Sequence, residues 1–129
     1  MTETKRLAGT VHHVSFRVDD LEEALVFYQD ALGCPRLPRP DIPVRGAWLQ
    51  AGDTQIHLIE SPSSAETGVP PDRISPVANH VAFLTEDLDA TAEALKEKGY
   101  AVEYGPSPLV RQIFVRDPTG NMIEFAPTD

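Results

Sequence analysis

Hydrophobic and polar residues alternate from Val11 to Val18 in the manner of a strand. Val14, Phe16 and Val18 fall on one face, and His13, Ser15 and Arg17 on the other. The period then changes. Asp19 or Asp20 offers an N-cap, and Leu21, Ala24, Leu25, Tyr28, Ala31 and Leu32 recur at helical spacing up to a stop at Gly33. Pro35, Pro38, Pro40 and Pro43 make residues 35–43 a loop or an irregular edge. Val44–Gln50 and Gln55–Glu60 read as two strands, and the turn sequence Ala51-Gly52-Asp53-Thr54 joins them into a hairpin.

Residues 61–76 are rich in Pro, Ser and charge and read as a mobile linker. The pattern restarts at Asn79. Val81 and Phe83 share an apolar face, His80 points the other way, and Asp87 caps a helix from Leu88 to about Lys98. Ala101–Tyr104, Arg111–Val115 and Met122–Ala126 follow as strands, the last two joined by the turn sequence Asp117-Pro118-Thr119-Gly120-Asn121. The expected fold class is therefore α+β, one domain over residues 1–129. It holds two βαβββ modules at about 9–60 and 77–127, and the first extra strand of module one is the least regular.

The two halves also share residues. His13-Val14-Ser15-Phe16 and His80-Val81-Ala82-Phe83 lie at a constant offset, and Asp20-Leu21 maps onto Asp87-Leu88 at that offset. At the same offset His57, in QIHLIE, lands on Glu124, in MIEFAP. Self-similarity of this kind marks a repeated structural unit. Ile56 and Leu58 flank His57, and Ile123 and Phe125 flank Glu124. If the apolar faces pack under the helices, His13, His57, His80 and Glu124 all lie on the other side of the sheet.

Composition narrows the class. The chain has 129 residues, 41% hydrophobic, with a formal charge of −9 and one cysteine. That length suits a single soluble domain, no apolar run reaches the roughly 20 residues of a membrane span, and the acidity excludes a nucleic-acid partner. Met1–Gly9 lacks the apolar core of a secretion signal, and the lone Cys34, just past a helix end, suits a reducing cytoplasm.

A single histidine on a strand is most often structural. Four metal-capable side chains at equivalent places of a repeat are a different observation, because a pseudo-two-fold axis brings such positions together. Imidazoles with one carboxylate suit Zn, Fe(II), Mn, Co or Ni, and leave Lewis acidity on the ion. Arg17 shares the His13 face and is a candidate for holding an anionic substrate group. Trp48 and Gln50 share a strand face that lines the pocket if Trp48 is not core. Arg111 and Gln112 precede the closing hairpin, and one of them, taken as Arg111, is expected in the cleft. His12 alternates away from His13 and reads as structural, and Tyr28 reads as core.

HHVSFRVDDLEEALVFYQDALG, NHVAFLTEDLDATAEALKEKG and RQIFVRDPTGNMIEF resemble the opening, mid-chain restart and closing hairpin of the vicinal oxygen chelate superfamily. That group contains glyoxalase I, fosfomycin-resistance enzymes, bleomycin-resistance proteins and extradiol dioxygenases. GAWLQAGDTQIHLIES is similar to glyoxalase-I-like proteins. The resemblance implies a U-shaped mixed sheet around one divalent metal ion, held by His13, His57, His80 and Glu124. It also implies a homodimer with a cleft shared between chains, and a small-molecule substrate. The implied activity is a glyoxalase-like lyase or isomerase on a small oxygenated substrate, the metal stabilising an enediolate or oxyanion and Glu124 or His57 moving the proton. An Fe(II) dioxygenase of the extradiol type and a non-catalytic drug-binding protein are the alternatives. Glyoxalase I carries Glu or Gln where His57 stands here. His13, His80 and Glu124 alone match the two-His-one-carboxylate pattern, which leaves His57 as fourth ligand, base or pocket hydrogen-bonder.

Overall fold

A computed structural model describes residues 6–128. Met1–Lys5, part of the stretch read above for a secretion signal, and Asp129 lie outside them. The first module runs β1 (His13–Val18), α1 (Leu21–Leu25), a π-helical extension (Val26–Ala31), β2 (Arg36–Leu37), β3 (Gly46–Ala51) and β4 (Thr54–Glu60). The second runs β5 (His80–Thr85), α2 (Leu88–Glu97), β6 (Glu103–Tyr104), β7 (Ile113–Arg116) and β8 (Met122–Pro127). Each module forms its own four-stranded sheet, in the orders β1-β4-β3-β2 and β5-β8-β7-β6. In both, the first strand pairs parallel to the last and the remaining pairs are antiparallel. The two βαβββ units are thus the same topology twice.

Both helices begin as the sequence dictates. The Asp20 carboxylate accepts from the Glu23 N–H at 3.1 Å, and the Asp87 carboxylate from the Ala90 N–H at 3.0 Å, each filling an orphan donor of the first turn. The first helix departs from the expected α pattern after Leu25. Its bonds lengthen to the π type, with Leu32 N–H donating to the Phe27 carbonyl. The wider turn seats adjacent Phe27 and Tyr28 both in the core, at 0% exposure, a pairing that a strict 3.6-residue stripe assigns to Tyr28 alone.

The apolar faces of the two sheets share one core. Val18, Leu49, Ile56 and Leu58 from the first sheet and Ile113, Val115 and Ile123 from the second pack with Leu21, Leu25, Leu88 and Leu95 from the helices. Three polar ties fasten the modules across it. Tyr28 Oη donates to Asp117 Oδ2 at 2.6 Å, Asn121 Nδ2 donates to the Arg17 carbonyl, and the Asp19 N–H donates to Thr119 Oγ1. Asp117, 4% exposed, also accepts the backbone N–H groups of Thr119, Gly120 and Asn121, which closes the β7–β8 turn. The 61–76 linker has no strand or helix and is tied down by Arg17, which donates to the Ser61 carbonyl and Thr67 Oγ1, and by Arg116, which donates to the Pro71 carbonyl.

Candidate metal centre

The four candidate ligands lie on the sheet faces turned away from the core, and they form two pairs, one per module. His80 opens β5, while Glu124 lies on the neighbouring β8, opposite Ala82. His80 Nε2 stands 3.0 Å from Glu124 Oε1. His80 Nδ1 is 2.8 Å from the Ala78 carbonyl, an acceptor only, so Nδ1 carries the ring hydrogen. On a neutral ring the Nε2 lone pair then faces a carboxylate oxygen. A cation at that place, a proton or a metal ion, satisfies both. Phe114 packs edge-on to His80, with ring centroids 5.8 Å apart, and Gln112 Nε2 donates to the second carboxylate oxygen at 3.1 Å.

In the first module, His13 opens β1 and His57 sits on β4 opposite Ser15 and Trp48. The three rings form a stack. Trp48 lies 4.4 Å from His57 at 7°, and His57 lies 3.9 Å from His13 at 11°. His57 Nε2 bonds Gln55 Oε1 at 2.9 Å. Parallel stacked rings do not aim two lone pairs at one point, so one ring must turn for both to hold the same ion. His57, covered on both faces and bonded at its edge, is the less free of the two. Burial lowers its pKa, with the His13, His12 and Arg39 charges adding to the effect, which favours the neutral ring.

The pairs mirror each other. His13 and His80 on the first strands are exposed, whereas His57 and Glu124 on the last strands are each 8% exposed. The donor set fits a divalent transition metal. Among the described residues, however, no three His, Cys, Asp or Glu side chains converge on one point, and the four candidates stand as two separate pairs. His12 does not turn away as alternation suggests. It precedes β1, and its Nδ1 lies 2.9 Å from that of His13.

The other candidates are placed unequally. Trp48 is half-buried against His57, and Gln50 lies on the same strand with its amide donating to the Gly52 carbonyl. Arg17 is engaged with Asp19, Ser61 and Thr67. Arg111 pairs with Asp89 at the surface, and Gln112 is the one that reaches Glu124. A cavity of about 600 Å³ beside His80 takes in Arg17, Ser15 and Asn121. A larger one of about 890 Å³ lies on the apolar side, between Leu32, Cys34, Val81 and Leu95. Of the four candidate ligands the smaller cavity takes in His80, while the larger takes in Gln50 and the hydrogen-bonded hydroxyls of Thr85 and Thr91.

The sequence profile described as the glyoxalase/bleomycin resistance protein/dioxygenase superfamily matches residues 10–125. The chain is 33% identical to Glyoxylase I 4 of Arabidopsis thaliana over 93% of its own length and 71% of that protein. It is 31% identical to the metallothiol transferase FosB of Staphylococcus epidermidis, over 90% of this chain and 80% of that one. It spans only 36–44% of longer lactoylglutathione lyases and similar plant proteins from Arabidopsis thaliana and Brassica oleracea. A crystal structure of a glyoxalase family protein from Bacillus anthracis superposes with a TM-score of 0.80 at 26% identity, covering 98% of this chain and all of that one. Sequence, repeated topology and superposition agree, and the chain belongs to the glyoxalase/bleomycin resistance protein/dioxygenase superfamily.

Proposed function

We propose that this protein is a metal-dependent lyase or isomerase of glyoxalase type, acting on a small molecule with adjacent oxygens. The observation that carries the reading is the His80–Glu124 pair, whose facing lone pairs call for a cation. A divalent ion bound there supplies Lewis acidity toward the substrate's oxygens. His13, His80 and Glu124 are ligands in this reading, and His57 is the fourth ligand or the base beside them. As the base, His57, held by Gln55, takes up the proton, with Glu124 as the other proton carrier. Trp48 and Gln50 form the wall against which the substrate lies, while Arg17 and Arg111 act at the rim. In this reading each pair is a half-site, and the working cleft joins the first module of one copy to the second module of another, in a homodimer.

A second reading, oxygenation at Fe(II), is favoured by the stacking of His57 on Trp48, which leaves His13, His80 and Glu124 as a two-His-one-carboxylate set. Elemental analysis of protein purified without an affinity tag or chelator separates the two. About one divalent ion per chain, lost in His80→Ala, is the expected result. Zn, Ni, Co or Mn with solvent-proton exchange into an α-hydroxycarbonyl substrate supports the isomerase, and iron with oxygen uptake supports the oxygenase. A dimeric protein that stays metal-free after soaking with all of these ions refutes both.

A further inference from the structure

We propose that Gln112 is a positioning residue that holds one oxygen of Glu124, so that the carboxylate offers an ion only the other. The inference rests on the metal-site reading above. Glu124 lies opposite Phe114 in the β7–β8 ladder. Gln112 is two residues before Phe114, on the same face of the sheet and diagonal to Glu124. Its amide Nε2 donates to Oε2 at 3.1 Å, while Oε1 faces His80 at 3.0 Å. An unrestrained carboxylate can rotate or chelate with both oxygens. Here the amide occupies one oxygen and fixes the plane, and with Glu124 only 8% exposed, water competes poorly for that place. The result is a one-oxygen ligand that leaves a further coordination position for substrate, which a chemistry of paired oxygens requires.

The placement of Gln112 is itself built. Its backbone carbonyl accepts from the Gly105 N–H at 2.9 Å. A Cβ at position 105 would stand 2.7 Å from Gln112 Oε1 and 3.3 Å from its Cβ, so any side chain there displaces the amide. Gly105, at the far end of the 105–112 loop, is therefore the space in which the Gln112 side chain sits.

The test is titration of the native protein with Co²⁺, read by calorimetry for affinity and by visible absorption for coordination number. Gln112→Ala is expected to bind about ten- to a hundred-fold more weakly, the usual effect of removing a partner behind a ligand. Its absorption per cobalt should fall as the carboxylate closes onto the ion with both oxygens and the coordination number rises. Gly105→Ala, which touches no ligand, is expected to shift both readings in the same direction. A wild-type protein that takes up no Co²⁺ overturns the metal reading beneath this one. Wild-type binding with an unchanged affinity and spectrum in Gln112→Ala overturns the role of Gln112 alone, as does a variant whose only defect is a lower melting temperature.

Discussion

Replacing Tyr28 by Phe isolates the tie that joins the two modules. The ring stays, so the packing against Phe27 and Phe16 is kept, and only the 2.6 Å bond to Asp117 is lost. A hydrogen bond to a charged partner contributes a net ~1.5–3 kcal/mol. Asp117 Oδ2 still holds the Asn121 amide at 2.8 Å, and Oδ1 still accepts three backbone donors, so the carboxylate is not orphaned. The expected cost is therefore about 2 kcal/mol. For a domain of this size that corresponds to a fall of roughly 6–10 °C in melting temperature. Urea unfolding at pH 7 should show a lower midpoint with an unchanged slope. The alkaline limb gives a second reading. Burial, then the Asp117 charge and hydrogen bond, and then Cys34, hold the Tyr28 hydroxyl well above its ordinary pKa. The unfolded hydroxyl ionises near ~10. This group's stabilisation is thus fully present below about pH 10 and is lost as pH rises through the higher folded value. Tyr100 and Tyr104, also raised, are common to both proteins and cancel in the comparison, whereas Cys34, raised by burial, is coupled to Tyr28 and cancels only in part. The stability difference between wild type and Tyr28→Phe should therefore shrink above pH 10. An unchanged urea midpoint, or a gap that stays constant into alkali, refutes the reasoning.

Two further substitutions probe how the sequence sets the fold. Gly46 is buried where β3 crosses β4, and a Cβ there would meet the Leu58 carbonyl oxygen at 2.3 Å. Gly46→Ala must shift the ladder that carries His57 and Trp48, and is expected to cost more than about 2 kcal/mol in chemical denaturation. Asp87→Ala removes the cap of α2 and should cost about 1 kcal/mol, restored by Asp87→Ser and checked by the same melts.

How much of this was legible in the chain depends on the range over which each feature is decided. Alternation from His13 to Val18, helical spacing from Leu21, and the Asp-Leu caps are local, and period alone sets which face of a strand meets the core. The repeat placed His13 with His80 and His57 with Glu124, since equal sequences under equal constraints give equal topology. Local pattern did not reveal the π-helical turn, because seating Phe27 and Tyr28 together answers to Tyr100 and Asp117 in the other module. Nor did it choose between Arg111 and Gln112, neighbours whose side chains part ways only when Asp89 and Glu124 are in place. Sequence by itself determined the modules, their faces and the types of donor available. Tertiary structure decided the company each donor keeps: a carbonyl behind His80, an amide behind Glu124, an indole over His57. The carbonyl is local, two residues before His80, but the amide and the indole come from neighbouring strands and loops, and no period along the sequence encodes a distance across a sheet.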